Sequence, residues 1–478
     1  MNAALWLALA YSSNLFADDC RACHAAIAES FSRTGMGRSI TERPAVSPAT
    51  FYHALSNRHY TFTAGKLKRH QVDAAGVEIN VIEKSIDVAI GSGNHAVTYA
   101  HRTGQGRLLE LPVSWYSQPK AYFMSPGYDA ANHPGMSREV LDTCLFCHSD
   151  SPRPAAITCR RCHGDASAHL SKPARGTIYN PKQSMEVCLQ CHLETVSRGI
   201  SDSIRQPGRS VFSYQPGEPL AAYKLYFDRA DAPQPRFEVN HAGYRLMQSA
   251  CFRKSAGKLT CVTCHDPHTA KVRDACNSCH QSLHARKENA AACPACHMPK
   301  RTAQDAIHVA MTDHWIQRNP KFENPRQENH QPYTGPVVPF YTKADPLTLA
   351  VANVREPSAA SAALLAKYVE RNPANASAFV SLGKMLIQLN RLSDAEQRLR
   401  RAVTLDPMLT AARTALAVAL GRQGKLEEAA RVLEAASSSN PDDPLVWFNL
   451  STTLRMLNRA DRADAAMREA VRLQPGIR

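Results

Sequence analysis

Cysteine and histidine recur along the chain in one fixed pattern. Fourteen of the fifteen cysteines form seven Cys-x-x-Cys pairs, and a histidine directly follows each pair. Two thiols on one helical turn can form thioethers with the two vinyl groups of a porphyrin, and the next histidine then meets the iron. The seven motifs are Cys20, Cys23, His24; Cys144, Cys147, His148; Cys159, Cys162, His163; Cys188, Cys191, His192; Cys261, Cys264, His265; Cys276, Cys279, His280; and Cys293, Cys296, His297.

Zinc and disulfides are the alternative uses of such thiols. Paired Cys-x-x-Cys units build four-thiolate zinc sites, and disulfides staple distant segments of small secreted domains. Neither use requires a histidine behind every pair. The pattern therefore predicts seven covalently attached haem c groups, with the seven motif histidines as proximal iron ligands.

The second axial position of each iron needs its own ligand, or stays open for a substrate. Thirteen histidines lie outside the motifs, which is enough for bis-histidine ligation of all seven irons. A surface or hydrogen-bonded histidine remains the alternative for each of them. Met36 is a possible thioether ligand, and unpaired Cys251 is most simply a buried free thiol. The predicted distal ligands are His53, His95, His169, His241, His268, His308 and His314.

The net charge of +15 by itself suggests an anionic partner such as nucleic acid. Seven haems would add about −14 through their propionates, at roughly −2 each. Many lysine and arginine side chains are then partners of propionates. We therefore expect no nucleic-acid binding.

The elements that position these motifs fall into three regions. Residues 1–17 resemble a signal peptide cut near Ala17, although they lack a basic start. Residues 18–318 carry the motifs, on short helices and loops, with a small antiparallel β insertion at about 51–123. Within it, the tetrapeptide TGQG predicts a hairpin turn. No run of about 20 apolar residues predicts a membrane span.

A proline-rich segment, 319–346, predicts a linker or extended strap, and an alanine-rich region follows at 347–478. Pro373, Pro407, Pro441 and Pro475 lie 34 residues apart, with small residues repeating in register. This is the period of tetratricopeptide repeats, each a pair of helices. The stretch before Pro373 keeps the pattern less well and predicts one irregular capping helix. An array of such repeats forms an α-solenoid whose concave surface usually binds a protein or peptide; a structural cap or dimerisation unit is the alternative.

These motifs, with the segments CHGDASAH and CHDPH, resemble multihaem cytochromes c of the hydroxylamine oxidoreductase and pentahaem nitrite reductase superfamily. The resemblance implies distal-ligand roles for His169 and His268. It also implies a periplasmic or extracytoplasmic location, where haem is attached. The chain departs from the catalytic members, because it has seven motifs rather than eight and no Cys-x-x-Cys-Lys.

The expected fold is mainly α: a multihaem c-type cytochrome region followed by a tetratricopeptide α-solenoid. The expected function is electron transfer between redox partner proteins, with the repeats docking a partner. No catalytic residue is predicted. The alternative is an oxidoreductase that acts on a small nitrogen or sulfur compound at one five-coordinate haem.

Overall fold

The computed structural model describes residues 12–153, 155–181, 184–193, 204–230, 236–273, 275–280, 293–320 and 335–477. Its first helix, α1 (Ser12–Ser32), carries the first motif and is interrupted at His24, whose φ of −118° and ψ of 41° are not helical. Residues 1–11 of the predicted signal peptide lie outside the described residues. Among the helices described, none is long and apolar enough to cross a membrane.

Ten strands follow within residues 12–153, and they form two antiparallel sheets. The predicted insertion at about 51–123 is therefore larger than expected, since it begins at Ile40. One sheet has the order β2-β3-β4-β5; the other has the order β1-β6-β7-β9-β10, with β8 paired to β7. The strands are β1 (Ile40–Glu42), β2 (Ala49–His53), β3 (Arg58–Thr63), β4 (Lys66–Val72), β5 (Glu78–Ser85), β6 (Val88–Ile90), β7 (Ala96–Arg102), β8 (Leu108–Glu110), β9 (Val113–Tyr116) and β10 (Ala121–Met124).

Local sequence explains much of this sheet region. The predicted TGQG turn joins β7 to β8: the amide of Gly106 donates to the carbonyl of Thr103 at 2.8 Å, and Gly106 has a φ of +82°. A positive φ costs glycine little, because it has no Cβ. In β3, period-two alternation buries Arg58, Tyr60 and Phe62 on one face. Tyr60 and Phe62 thus suit a hydrophobic core, whereas Arg58 requires polar partners.

Short helices carry five of the six remaining motifs, as predicted, and a single 3₁₀ turn (Cys276–Ser278) carries the motif at Cys276, but strands occur among them. The helices are α2 (Asp142–His148), α3 (Arg160–His163), α4 (Ser167–Ser171), α5 (Glu186–His192), α6 (Ala242–Met247), α7 (Ala250–Lys254), α8 (Cys261–Cys264) and α9 (Cys293–His297). The strands are β11 (Ile204–Arg205), β12 (Lys224–Arg229), β13 (Lys300–Thr302), β14 (Ala310–Thr312) and β15 (Val337–Phe340). The prediction of helices and loops alone was therefore incomplete.

Strand β15 lies inside the segment predicted to be a linker. It pairs antiparallel with β12, where Tyr226 faces Phe340 and Arg229 faces Val337. The described end of the segment is therefore built into a sheet, as an extended strap would be. Residues 321–334 of the segment lie outside the described residues.

The last region is a stack of antiparallel helix pairs, as the 34-residue period predicts. Each of the four prolines lies two residues beyond the end of a helix, where a missing amide does no harm. The stretch before Pro373, expected to form one irregular capping helix, forms two helices. The helices are α10 (Pro346–Ala352), α11 (Ala359–Arg371), α12 (Ala376–Gln388), α13 (Leu392–Leu405), α14 (Thr410–Arg422), α15 (Leu426–Ser439), α16 (Pro444–Met456) and α17 (Ala460–Leu473).

Small residues let the paired helices approach closely. A Cβ atom added at Gly383 in α12 would lie 2.5 Å from Cγ of Leu399 in α13. The repeating alanines, among them Ala395, Ala429 and Ala463, are fully buried at these contacts. Their pattern in the sequence is thus the pattern of the core.

The helix stack is packed onto the preceding regions. Its hydrophobic core also includes Leu225 and Phe227 of β12 and Val337 of β15. At the opposite end, Leu473 belongs to the core of the β sheets. Between these ends, Nζ of Lys84 lies 2.6 Å from Oδ1 of Asp442. The repeats therefore form one packed body with the rest of the chain, at both ends of the stack.

Candidate functional site

Every Cys-x-x-Cys-His motif lies on a helical turn. In three of them the amide of the histidine donates to the carbonyl of the first cysteine: His163 to Cys159 at 2.9 Å, His265 to Cys261 at 2.9 Å, and His280 to Cys276 at 3.0 Å. Such a turn places the two thiols on one side and the imidazole at the end of the helix. The two thiols of each motif could thus hold a planar ligand at its edge, and the imidazole could contact one face of that ligand.

Three motif histidines face a second histidine from elsewhere in the chain. The rings of His24 and His169 have centroids 6.3 Å apart and planes at 18°. Those of His163 and His268 are 6.1 Å apart at 9°. Those of His265 and His314 are 6.0 Å apart at 31°. The structure thus brings three of the predicted distal ligands to three predicted proximal ligands.

These separations can be compared with iron coordination. A bond from imidazole nitrogen to a metal is about 2 Å long, and the ring centroid lies about 1 Å beyond that nitrogen. Two imidazoles on opposite faces of one iron therefore have centroids about 6 Å apart. The three observed separations match this value, so each pair leaves the space that one haem iron and its two bonds to nitrogen would need.

Hydrogen bonds to Nδ1 orient several of these rings. His163 Nδ1 lies 3.0 Å from the carbonyl of Tyr179, and His314 Nδ1 lies 3.1 Å from that of Thr312. Because a carbonyl only accepts, Nδ1 carries the proton and Nε2 keeps its lone pair for a metal. His297 Nδ1 bonds likewise to the carbonyl of Gln317, at 2.8 Å.

The partner of His169 leads to the same tautomer. Its Nδ1 lies 2.8 Å from Oγ1 of Thr177, and that hydroxyl donates to the carbonyl of Ala174 at 2.7 Å. The hydroxyl proton is thus already used, so Oγ1 accepts from Nδ1 of His169. These carbonyl and hydroxyl partners were not found from the sequence, because nothing in it marks which backbone group faces a ring.

The other four predicted distal ligands have contacts of a different kind. His53 is buried, with Nδ1 2.8 Å from Oγ of Ser56 and Nε2 3.1 Å from Oδ1 of Asp129. His308 stacks on the ring of Phe123, with centroids 4.0 Å apart. The contacts of His53 and of His308 are thus with side chains in or next to the β-sheet region.

His241 and His95 complete the set. His241 is buried at the start of α6, with Nε2 3.1 Å from Oε2 of Glu238. His95 lies between β6 and β7, and its pKa is lowered by burial and then by Lys300. Neither the ion pair of His241 nor the burial of His95 resembles the three histidine pairs.

Burial favours the neutral form of three motif histidines and of His314. Desolvation lowers the pKa of His148, His192, His265 and His314, and for His192 the neighbouring His314, His265 and His148 lower it further. Burial also raises the pKa of the Cys162 thiol to about 12. A neutral imidazole has the free nitrogen that a metal needs.

Thiols of different motifs lie next to one another. Cys20 is close enough to Cys159 to raise the pKa of that thiol, after burial, and Cys261 is close enough to Cys188 to lower the pKa of the Cys188 thiol. All fifteen cysteines are free of disulfides. Within the part of the chain that is described, no group of three or more His, Cys, Asp or Glu side chains is arranged to hold a metal ion. A haem iron would take two ligands from such a histidine pair and the other four from its porphyrin.

Comparisons with known proteins bear on the C-terminal region. The tetratricopeptide repeat family matches residues 352–407 and 414–476. The helix stack is therefore a tetratricopeptide repeat array, of a class of domain that binds proteins or peptides. No curated protein matches the chain.

Solved structures with some similarity include repeat proteins. MamA of AMB-1 is 23% identical, with a TM-score of 0.25, over 27% of this chain and 75% of that one. YrrB, a TPR protein with an unusual peptide-binding site, is 25% identical, with a TM-score of 0.23, over 24% and 60% of the two chains. TTC0263, a thermophilic TPR protein of Thermus thermophilus, is 24% identical, with a TM-score of 0.23, over 24% and 64%.

Proposed function

We propose that this chain is an exported heptahaem c-type cytochrome that transfers electrons between redox proteins and uses its repeat array to dock a partner. The observation that carries the proposal is the set of three histidine pairs, each combining a motif histidine with one from a distant segment. Their centroid separations of 6.0–6.3 Å fit two imidazoles on opposite faces of one iron.

The chain's own residues have defined roles in this proposal. The fourteen motif cysteines would hold seven haems as thioethers, and the motif histidines would be proximal ligands. His169, His268 and His314 would be distal ligands, oriented through Nδ1 where Thr177 and the carbonyl of Thr312 accept its proton. When bound, a haem supplies an iron that gains and releases one electron.

A six-coordinate iron favours electron transfer over catalysis, because no position is open to a substrate. Bis-histidine ligation also favours lower potentials than histidine–methionine ligation. The alternative predicted from the sequence is an oxidoreductase with one five-coordinate haem. It requires a haem whose iron lacks a distal side chain. The two proposals therefore differ in ligation at individual haems.

Carbon monoxide distinguishes these functions, because it binds ferrous haem at an open position. The purified protein is reduced with dithionite, and the Soret band is recorded before and after carbon monoxide is added. Electron transfer predicts an unchanged band, with horse cytochrome c and myoglobin as negative and positive controls. A change equal to one haem in seven would favour the oxidoreductase.

Export and partner docking rest on separate observations. Export is supported by the signal-like residues 1–17 and by the thiol chemistry of haem attachment, and fractionation of the producing cells tests it.

Docking is supported by the repeat array, whose α12, α14 and α16 carry exposed Lys384, Arg422 and Arg455. A pull-down with the intact chain and with a variant altered at these three positions tests it.

A further inference from the structure

The fourth motif, on α5, contacts three other motifs. The side-chain amide of Gln190 donates to the carbonyl of Arg161 in the third motif, at 3.2 Å. The Cys188 thiol neighbours Cys261 in the fifth, since each thiol shifts the pKa of the other. Leu189 shares a buried core with Phe146 of the second. A haem on α5 would thus lie among those of motifs two, three and five.

Close packing on another side holds α5 in place. A Cβ atom added at Gly243, in α6, would lie 2.4 Å from Cδ2 of Leu189 and 2.9 Å from the carbonyl oxygen of His192. Only glycine allows this approach.

Among the contacts in the described part of the chain, those of the first motif connect it to the third motif and to no other. The ring of His24 lies opposite that of His169, six residues beyond the third motif, with centroids 6.3 Å apart. Cys20 also neighbours Cys159, whose pKa it raises. The turns of α1 from Arg21 to Ile27 are exposed, including Cys23 and His24, and Ile27 is 48% exposed. This motif lies at an edge of the molecule.

The fifth motif links the third to the seventh. His268, three residues beyond the fifth motif, faces His163 of the third. His314 faces His265 of the fifth, while the carbonyl of Gln317 accepts from His297 of the seventh, at 2.8 Å. Each distal histidine thus comes from the segment after a different motif, and the segments interlock.

We infer that the first motif would hold the haem at which electrons enter or leave, and that the third motif would connect it to a branch point at the fourth. The fourth motif would also join the second and the fifth, and the seventh would be reached through the fifth. The inference rests on the proposed function, since it needs haem at these motifs. Transfer between haems slows steeply with distance, so neighbouring motifs define the route.

Iron positions in the mature protein test the order directly. Crystals measured at the iron absorption edge give one anomalous peak for each haem. We expect the fourth iron to have the second, third and fifth as its nearest neighbours, and the first iron to have the third. A fourth iron at the end of a row, or a first iron nearest to another motif, would overturn the inference. Absence of any iron peak would instead reject the proposed function.

Timed photoreduction tests the route in solution. A ruthenium photosensitiser is attached at Ile27→Cys, in a Cys251→Ser background, and the distal variants His169→Met, His268→Met and His314→Met mark the first, third and fifth haems. We expect their reduction signals in that order. A label at Lys384→Cys, on the repeat array, is the matched control and should lose the order. A fifth-haem signal that precedes the third would contradict the route.

Discussion

The guanidinium group of Arg69, in β4, donates to the carbonyl of Leu473 in the last turn of α17, at 3.1 Å and across 404 positions of sequence. It also donates to the carbonyl of Arg472, at 2.6 Å. The last carbonyls of a helix lack intrahelical partners, and a cation is favourable beside them. Fully buried Arg69 therefore fixes the end of the repeat array to the β sheets.

Replacing Arg69 should loosen this junction. The variant Arg69→Met keeps the apolar stem but leaves buried carbonyls without a donor, which costs about 1–3 kcal/mol in free energy of unfolding. Urea unfolding followed by circular dichroism measures it. Arg401→Met, which alters an exposed arginine of α13, is the control and should change little. Equal effects of the two variants would mean that the junction does not stabilise the fold.

Removal of the repeat array should destabilise the remainder. Without residues 347–478, Phe227 and Val337 lose the core that covers them, because they pack against the array. Limited proteolysis of the truncated chain should therefore cut the region of β11–β12–β15 much faster than in the intact chain. Equal cleavage rates would make the array a separable attachment, which is what the sequence alone suggests.

Acid should destabilise the β-sheet region through His133. This side chain is 2% exposed, and burial, followed by the charge of Arg58, lowers its pKa to about 2. In the unfolded chain its pKa is about 6.5. Below about pH 6.5 the unfolded state therefore binds a proton that the folded state does not, and stability falls as the pH is lowered towards 2.

The measurement is urea unfolding between pH 7 and pH 5. The native chain should lose stability more steeply than His133→Gln, by about 1.4 kcal/mol per pH unit below pH 6.5. His59→Gln, which alters a partly exposed histidine in β3, should follow the native curve. Parallel curves for the native chain and His133→Gln would reject the linkage.

Distal-ligand variants should separate structural histidines from ligands. The variants His169→Met, His268→Met and His314→Met should each raise the potential of one haem in seven, because thioether ligation favours ferrous iron. His53→Ala should leave all potentials unchanged, since both of its ring nitrogens bond to Ser56 and Asp129. Spectroelectrochemical titration measures this. A shift for His53→Ala would show that a ligand had been misassigned.

Local signals in the sequence were sufficient for much of the fold. The period of Pro407 and Pro441 predicted the repeat helices, because helix ends and small core residues depend on near neighbours. The hairpin at Gly106 followed from turn chemistry in the same way. His169 and His268 could be proposed because they lie within six residues of a motif.

Contacts between distant segments could not be predicted. Nothing near Arg69 in the sequence identifies the carbonyl of Leu473 as its partner, and nothing near Val337 identifies Arg229 as its neighbour in a sheet. Strand pairing is set by which faces become buried in the whole fold. For the same reason, the pairing of His24 with His169 needed the structure.

Haem content tests the central claim most directly. The mature protein is isolated from cells competent in cytochrome c maturation, and the pyridine haemochrome assay is combined with intact mass spectrometry. The account predicts seven haems per chain, covalently retained under denaturing conditions. Colourless protein, or a mass without additions of haem size, would contradict it.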